Sequence, residues 1–295
     1  MKTVGDIGED GLIRRIVSLV PIGDGAGEKP GDDCSVVDSG GDRLLLLKTD
    51  ALVGGVHYEK SADPESVGWK AVARVFSDFA AMGGVGEKFM VTLALPGSTE
   101  IAWVERLYAG MGKCLQEFGA TLAGGETCRV PEGSVAVISI SAMGSVKRGC
   151  AVLRSGGSAG DHIWVTGSLG GSLSGKHLSF SPRVEEGRWL AEHAGVTAMM
   201  DLSDGLAKDL PRLAAASDCG FEIQRDAVPL NPGCTVDQAL GDGEDFELLF
   251  TAPADATFEN GWKAHFPELR ITRIGVLVGS GEGGALSGGW DHFES

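Results

Sequence analysis

Five short segments of this 295-residue chain place a carboxylate beside a glycine or a small hydroxyl residue. Mg²⁺ takes oxygen ligands, usually one or two carboxylates per ion, and water and phosphate oxygens complete its octahedron. Carboxylates that converge from separate loops repel one another, and bound cations offset that cost. Each segment alone is an ordinary turn sequence, but the five together predict a site for Mg²⁺ and phosphate. They are Asp32-Asp33, Thr49-Asp50, Ser77-Asp78, Gly125-Glu126 and Asp201-Leu202-Ser203-Asp204-Gly205.

The carboxylates of the first half are expected near the ends of strands and helices. Apolar residues over 44–47 predict a buried strand that delivers Thr49-Asp50 at its end. A helix over 64–82 carries Asp78 near its carboxyl end, where the helix dipole disfavours a carboxylate unless a cation lies nearby. Such a local conflict indicates a functional position.

Two further acidic segments follow predicted strands. A strand over 120–123 ends before Glu126, and a short strand at 199–200 ends before Asp201. A helix over 206–216 begins next to the second of these segments. Its amino terminus would favour an anion that a metal ion holds in the loop.

Strands and long helices alternate along the first half, which predicts an α/β (α+β) fold. The segment 147–160 is basic and then rich in Ser and Gly, as expected of a connection between domains. We therefore predict an N-terminal domain over 1–148 and a C-terminal α/β domain over 149–295. Further strands are expected over 34–37, 91–95, 135–143, 163–166, 247–251 and 271–278, and further helices over 10–20, 101–118, from about 188, and over 254–265.

The net charge of -16 excludes nucleic acid as a partner, since binding a phosphate backbone needs clustered Lys and Arg. A small anionic substrate stays compatible with this acidity, because metal ions can meet its charge. The six cysteines form no C-x-x-C pair and no zinc-site spacing, which favours a reduced setting. No apolar run approaches the roughly 20 residues of a membrane span, and the amino terminus lacks a signal-peptide pattern. We therefore expect a soluble, cytoplasmic protein that does not bind membranes.

One segment nearly matches the phosphate-binding P-loop pattern G-x-x-x-x-G-K-[ST]. Residues 170–177 read GGSLSGKH and follow a predicted strand, as a P-loop does. His177 stands where a Ser or Thr hydroxyl must bind Mg²⁺, and a neutral imidazole is a poor ligand for so hard a cation. The preferred interpretation is a glycine-rich turn into a helix. A P-loop enzyme that uses Lys176 is the weaker alternative.

The acidic segments and one more, in their order along the chain, resemble the signature segments of thiamine-monophosphate kinases. Single segments also occur in the wider superfamily of aminoimidazole ribonucleotide synthetase, hydrogenase-maturation and selenophosphate synthetase proteins. The segments at 49–57 and 243–248 and the WDHF tail at 290–293 point to the kinase branch. The matching segments are PGDDCSVV at 30–37, TDALVGGVH at 49–57, FSDFAAMG at 76–83, GGETCR at 124–129, DLSDGL at 201–206 and GEDFELLF at 243–250.

This resemblance covers nearly the whole chain and implies a reaction. The γ-phosphoryl group of ATP is transferred to the phosphate of thiamine monophosphate with the help of several Mg²⁺ ions, and thiamine diphosphate is formed. The resemblance also implies a two-domain fold like that of aminoimidazole ribonucleotide synthetase. Its subunits are expected to form a homodimer in which the sheets of the N-terminal domains pair.

The resemblance also assigns site residues by their place in the motifs. Residues implied to act in catalysis are Asp78, Arg154 and Asp204. The implied metal ligands are Asp33, Thr49, Asp50, Asp78, Glu126, Asp201 and Asp204. The implied ATP contacts are Tyr108, Gly125, Glu126, Arg154 and Ser203. The implied thiamine contacts are His57, Glu244 and Trp290.

Several of these roles also follow from side-chain chemistry, each beside a plainer alternative. Phosphoryl transfer needs positioning and charge neutralisation more than a covalent group. Arg154 offers a planar fork for phosphate, or it is a solvated charge in a connecting segment. Trp290 offers its face to a cationic thiazolium or an aminopyrimidine ring, or it caps the core from the tail. Glu244 follows a glycine in an expected loop and can accept from an aminopyrimidine, whereas His57 alone would be structural.

Two residues depart from the kinase pattern inside the proposed metal site. Lys48 stands where the pattern commonly has a metal-binding Ser; a protonated lysine cannot coordinate Mg²⁺, but its ammonium could replace the charge of one ion. Glu126 stands where Asp is usual, and the longer side chain suits octahedral Mg²⁺ poorly. Two alternatives therefore stay open. One is an enzyme of the same fold that uses ATP and Mg²⁺ on another small substrate, and the other is a nucleotide- or thiamine-phosphate-binding protein without catalysis.

Overall fold

The computed structural model describes residues 2–23, 29–193 and 195–293, which form two five-stranded sheets with helices packed on them. The strands of the first sheet are β1 (Ser35–Val37), β2 (Arg43–Val53), β3 (Val85–Pro96), β4 (Thr121–Val130) and β5 (Val137–Lys147). Their order is β1-β2-β5-β3-β4. Neighbouring strands are antiparallel except β3 and β4, which run parallel.

The strands of the second sheet are β6 (His162–Thr166), β7 (Ala198–Asp201), β8 (Gly220–Ile223), β9 (Leu248–Ala252) and β10 (Ile271–Val278). Their order is β7-β9-β6-β10-β8, and all neighbouring strands are antiparallel. One apolar core joins the first sheet to one face of the second, and a smaller core covers the other face of the second sheet, so the predicted α/β class is confirmed. The boundary after residue 148 stays a prediction.

Seven α-helices accompany the sheets within the described residues. They are α1 (Gly8–Val17), α2 (Pro64–Ala81), α3 (Ile101–Glu117), α4 (Val184–His193), α5 (Leu206–Ala216), α6 (Val236–Gly241) and α7 (Glu259–His265). Across residues 2–23, 29–193 and 195–293, none of them combines the length and the apolar character that a membrane span requires.

Two predicted strand ends are wrong. Thr49-Asp50 lies inside β2, because every residue of β2 pairs with a residue of β5. Glu126 likewise lies inside β4, which continues beside β3 to Val130. A strand extends as long as its neighbour offers hydrogen-bonding partners, and residues within the strand do not reveal that length.

The helices and the shorter elements show smaller differences. The helix over 206–216 and the strand over 271–278 are confirmed at both ends, whereas α7 begins at Glu259, five residues later than expected. The prediction missed β8 and α6, each of which is short. A capping box marks the start of α6, since the Thr235 hydroxyl accepts the Gln238 N–H and the Gln238 side chain accepts the Thr235 N–H.

Helix α2 lies between the two halves of the molecule. It begins with Pro64 after Asp63, whose carboxylate accepts the Ser66 N–H. It packs on β2, β3 and β5 of the first sheet, on α3, and on β7 and α4 of the second half. Charged residues on α2 are therefore buried where the two halves meet.

The opposite face of the first sheet is open. Side chains alternate between the two faces of a strand, so Lys48 and Asp50 of β2 face α2 while Thr49 faces outward. Leu47 and Met90 share this outer face and are 44% and 50% exposed. Strand β4, at the edge of the sheet, is exposed along nearly all of its length. The first sheet thus packs one face on the core, and the residues that the structure describes leave apolar side chains of the other face exposed.

Candidate active site

Three buried carboxylates from distant parts of the chain meet between the two halves. Asp33 lies just before β1, Asp78 in the last turn of α2 and Asp201 at the end of β7. Each offers a carboxylate oxygen, and these oxygens lie within 4.8 Å of one another. The residues are 3%, 6% and 3% exposed. Hard oxygen donors at this spacing fit a Mg²⁺ ion.

The electrostatics of this carboxylate cluster favour a bound cation. Burial, opposed by Lys48, raises the pKa of Asp78 well above its ordinary value. Burial and the neighbouring Asp33 raise the pKa of Asp201 to about 6, although the Ser77 hydroxyl donates to Asp201 Oδ2 at 2.6 Å. Like charges this close in a buried site resist ionising together. A divalent ion would relieve that repulsion.

Arg154 binds the Asp33 end of the carboxylate cluster. Its Nη2 donates to Asp33 Oδ1 at 2.5 Å and its Nε to Asp33 Oδ2 at 3.3 Å, a two-point contact. The Arg154 backbone N–H donates to Asp32 Oδ1 at 2.7 Å. With its side chain 18% exposed, Arg154 is not a solvated charge of a connecting segment.

A groove of about 800 Å³ borders Arg154 and runs along α1 and α5. Its size suits a nucleotide. Acidic residues line it as well, and one of them, Glu9, forms ion pairs with Lys208 and Arg212. The basic residues that line the groove are Arg14, Lys48, Arg154, Lys208 and Arg212.

Two more cations contact the carboxylates from the sheet and from α2. Lys48 Nζ lies 2.5 Å from Asp78 Oδ1, and Arg74 Nη2 lies 3.2 Å from Asp50 Oδ2. Burial lowers the pKa of Lys48, but Asp78 and Asp50 outweigh it and the net shift is upward. Burial and Asp50 oppose each other at Arg74 in the same way, and its pKa is also raised. Both side chains are therefore positively charged at neutral pH.

The side chains of Thr49 and Glu126 do not join the carboxylate cluster. Thr49 lies on the outer face of the first sheet, where its Oγ1 donates to the Ile140 carbonyl at 3.1 Å. Glu126 lies on the same face, opposite Thr92 of β3. Among the residues that the structure describes, its carboxylate accepts one hydrogen bond, from the Thr127 N–H. Both side chains therefore face away from the carboxylate cluster of their own subunit.

A cleft next to the carboxylate cluster brings together residues implied to bind the substrate and the nucleotide. His57, Ser203, Glu244 and Trp290 line it together with Asp204. The backbone N–H of Trp290 donates to the Asp204 carbonyl at 2.9 Å, and this hydrogen bond joins the tail to the acidic loop. Trp290 is 45% exposed, so it does not cap the core. Its indole is available to a ligand in the cleft.

Hydrogen bonds hold the polar residues of this cleft. His57 Nδ1 accepts the Val53 N–H at 3.0 Å, and burial followed by Arg74 lowers the pKa of His57 to about 4. The imidazole is therefore neutral at neutral pH, with its proton on Nε2. Glu244 has a left-handed backbone with φ 54°, and its carboxylate accepts from Lys70 Nζ at 2.6 Å.

Three other predicted site residues lie apart from the carboxylate cluster. Asp204 Oδ2 accepts from Arg212 Nη1 at 2.6 Å beside the cleft. Tyr108 is half-buried on α3 against the core of the first half and lines neither the groove nor the cleft. Gly125 lies so close to β3 that a Cβ would come 2.1 Å from the Val91 carbonyl oxygen, so only glycine fits there.

Sequence reasoning missed the roles of three residues on α2. Lys70 is fully buried and binds Glu244, Arg74 binds Asp50, and Ser77 binds Asp201. The signal was available, because Lys70, Arg74 and Asp78 are four residues apart and share one face of the helix. Charges repeated at that spacing on an otherwise apolar helix indicate a buried polar site.

The P-loop alternative is wrong. Residues Ser172–Ser174 and Lys176–Leu178 form two short 3-10 helices instead of the start of an α-helix. Lys176 Nζ donates to the Ser168 carbonyl at 3.2 Å and lies 3.5 Å from Glu247 Oε1. The glycine-rich segment is a turn whose lysine is held by its own half of the molecule.

Comparisons with known sequences agree with both halves of the fold. Residues 31–146 match the AIR synthase related protein family, N-terminal domain, and residues 156–285 match its C-terminal domain. Thiamine-monophosphate kinase of Rhodopirellula baltica is 35% identical, with 84% of this chain and 83% of that protein covered. The Escherichia coli protein of the same name is 34% identical, with 76% and 75% covered.

Solved structures give the same result. A structure of AaThiL complexed with AMPPCP and TMP has a TM-score of 0.85 at 29% identity and covers 99% of both chains. Thiamine monophosphate kinase from Aquifex aeolicus has a TM-score of 0.81 at 30% identity, with 97% of this chain and 100% of that chain covered. Because the matched domains, the signature segments and these relatives agree over most of its length, the chain belongs to the thiamine-monophosphate kinase family of AIR synthase related proteins.

Proposed function

We propose that this chain catalyses the ATP-dependent phosphorylation of thiamine monophosphate to thiamine diphosphate. The observation that carries the proposal is the buried carboxylate cluster, which lies next to a basic groove and an aromatic cleft. The groove suits a polyphosphate, and the cleft suits a cationic heterocycle. The relatives named thiamine-monophosphate kinase and the AMPPCP and TMP bound by AaThiL support the same assignment.

We place Mg²⁺ on Asp33, Asp78 and Asp201. When bound, the ion neutralises phosphate charge during transfer. Asp50 and Asp204, which the sequence also predicts as metal ligands, stay candidates for any further ion.

The residues of the chain position the two reacting phosphates. An oxygen of the acceptor phosphate is itself the nucleophile, so we propose direct in-line transfer without a phosphoenzyme. Arg154 contacts Asp33 through Nε and Nη2, which leaves Nη1 to donate to a phosphate oxygen. The Ser203 hydroxyl and the amino terminus of α5 supply further donors near the acidic loop.

The cleft residues recognise the thiamine part of the substrate in this scheme. Glu244 accepts from the exocyclic amine of the aminopyrimidine, and Trp290 stacks on one of the rings. His57 donates from Nε2, and because burial and Arg74 lower its pKa to about 4, it adds no positive charge beside the cationic thiazolium.

We further propose a homodimer that forms through the outer face of the first sheet. Leu47 and Met90 are exposed on this face, and β4 is an exposed edge strand. Uncovered apolar side chains and free strand edges are typical of surfaces that bind another protein. Pairing would also cover Thr49 and Glu126.

The assay for this function is the formation of thiamine diphosphate from ATP, Mg²⁺ and thiamine monophosphate, with chelator in place of Mg²⁺ as a blank. One thiamine diphosphate per ADP is expected. Asp78→Asn removes a ligand charge from the carboxylate cluster and is expected to lower kcat about 100-fold or more. Lys176→Ala, outside the site, is expected to stay within about twofold of the unchanged protein.

The same assay separates the alternatives. Phosphorylation of another acceptor, with none of thiamine monophosphate, would favour an enzyme of the same fold with a different substrate. Calorimetric binding of both ligands without turnover would favour a binding protein. Full activity of Asp78→Asn would refute the carboxylate cluster as the metal site.

The cytoplasmic location of the protein stays a prediction.

A further inference from the structure

The acidic site already contains cations of the chain itself. The contact between Lys48 and Asp78 joins β2 to α2, and these side chains are 21% and 9% exposed. Arg74 and Asp50 join the same two elements, with side chains 12% and 23% exposed. Both pairs are largely shielded from water, so neither is an ordinary surface ion pair.

These two ion pairs place cations at oxygen atoms that additional metal ions would use. Asp78 Oδ1 accepts from the Lys48 ammonium at 2.5 Å. Asp50 Oδ2 faces Arg74 at 3.2 Å, and Asp50 Oδ1 accepts the Ala51 N–H at 2.7 Å. A cation that already lies at such an oxygen repels an incoming metal ion, so each of these contacts makes the binding of every further divalent ion less favourable.

The charges of Asp33, Asp50, Asp78 and Asp201 are nearly balanced by the cations beside them before any metal binds. Among the residues that the structure describes, Asp201 is the member of this set without an ion pair, and it accepts from the neutral hydroxyl of Ser77. One divalent ion is enough to compensate such a site, whereas several would leave buried positive charge in excess. The cation and carboxylate pairs are Arg154 with Asp33, Lys48 with Asp78, and Arg74 with Asp50.

We infer that Lys48 and Arg74 are built-in counterions that take the places of divalent ions, so that the free enzyme binds a single Mg²⁺ on Asp33, Asp78 and Asp201. This inference rests on the Mg²⁺ site of the proposed function. In this scheme Lys48 and Arg74 are positioning residues: they hold the carboxylates of β2 and α2 and limit how many ions the protein binds.

Mn²⁺ titration of the full chain, with free Mn²⁺ followed by electron paramagnetic resonance, counts bound ions without turnover. The unchanged protein is expected to bind one ion per chain. Lys48→Ser removes the ammonium and leaves room at Asp78, so a second ion is expected to bind. Arg74→Gln is expected to admit a second ion at Asp50. Lys48→Arg keeps the charge and is expected to keep the count at one.

Lys113→Ser is the matched control. Lys113 forms an exposed ion pair with Glu65, so its loss changes the net charge equally without touching the carboxylate cluster. If Lys48→Ser and Arg74→Gln each bind one ion with unchanged affinity, the counterion inference is wrong while thiamine diphosphate formation stands. If neither the unchanged protein nor any variant binds Mn²⁺, the inference and the Mg²⁺ site both fail.

Thermal unfolding supplies a second measurement that also reveals a misfolded variant. Without metal, Lys48→Ser leaves Asp78 without its cation and is expected to have a lower Tm than the unchanged protein. Because a ligand stabilises the state that binds it, Mn²⁺ is expected to raise the Tm of Lys48→Ser by more than that of the unchanged protein. Equal Mn²⁺-induced shifts would contradict the inference.

Discussion

Lys70 is a fully buried lysine that connects two residues of the cleft, His57 and Glu244. Its Nζ donates to the Glu244 carboxylate and to the His57 carbonyl, both at 2.6 Å. Burial, opposed by Glu244, lowers the pKa of Lys70 to about 8 from its ordinary value of 10.5. The charge that orients Glu244 is therefore lost under mildly alkaline conditions.

Replacing Lys70 by Met tests this role through the pH dependence of activity. In the unchanged enzyme, kcat/KM for thiamine monophosphate is expected to fall about tenfold per pH unit above about pH 8, as Lys70 loses its proton. Lys70→Met has no such proton, so its profile is expected to be flat there, with KM about tenfold higher throughout because Glu244 lacks a charged partner. Steady-state kinetics from pH 6.5 to 10 measure both effects.

Stability distinguishes this titration from alkaline unfolding. The folded pKa of Lys70 lies below the unfolded one, so the unfolded chain binds more protons between pH 8 and 10.5 and the contribution of Lys70 to stability becomes more favourable across that window. Activity and this contribution thus change in opposite directions. If kcat/KM of the unchanged enzyme did not fall above pH 8, or if Lys70→Met showed the same fall, Lys70 would not have this role. Lys113→Met, which removes an exposed lysine, is the control.

At the scale of elements, two glycines set the distance between α2 and α3. A Cβ on Gly68 would lie 1.9 Å from the Leu107 carbonyl oxygen, and one on Gly110 would lie 1.8 Å from the Glu65 carbonyl oxygen. The backbones of the two helices are therefore in direct contact. Because α2 carries Asp78, this spacing also sets the depth of the carboxylate cluster.

Two substitutions on α3 distinguish the effect of this close contact on stability from the effect of helix propensity. Gly110→Ala is expected to lower the free energy of unfolding by about 2 kcal/mol or more, because the added methyl group forces the helices apart. Gly112→Ala, where nothing lies within 4 Å of the added Cβ, is expected to raise it by about 0.5–1 kcal/mol through better helix propensity. Denaturant unfolding gives both values. Similar effects of the two substitutions would rule out the close contact.

The elements differ in how far their own residues determine them. Helix α5 and strand β10 were predictable because apolar periodicity and flanking turns mark both of their ends. The length of β2 depends on β5, roughly ninety residues away in sequence, and so does the face on which Thr49 lies. The acidic segments predicted a set of residues that includes the carboxylate cluster, but the same set also includes Thr49 and Glu126, which lie on the outer face of the sheet. The contact of Lys70 with Glu244 depends on how the two halves pack.

At the scale of the whole molecule, the open face of the first sheet predicts how subunits associate. A charge introduced at an apolar position of this face would be buried in the proposed dimer, so Met90→Lys is expected to yield monomers. Ile101→Lys, at an exposed position of α3, is the control and is expected to stay dimeric. Sedimentation velocity distinguishes the two states. A Met90→Lys dimer, or a monomeric unchanged protein, would contradict pairing through this face.

Helix α2 belongs to the first half, yet several of its side chains have their partners in the second. Ser77 donates to Asp201, Lys70 donates to Glu244, and Trp69 Nε1 donates to the Phe180 carbonyl at 2.8 Å. A chimera of this first half with the second half of a relative would keep its active site only if those acceptors came with it. Changes in either half that touch α2 are thus constrained by the other half.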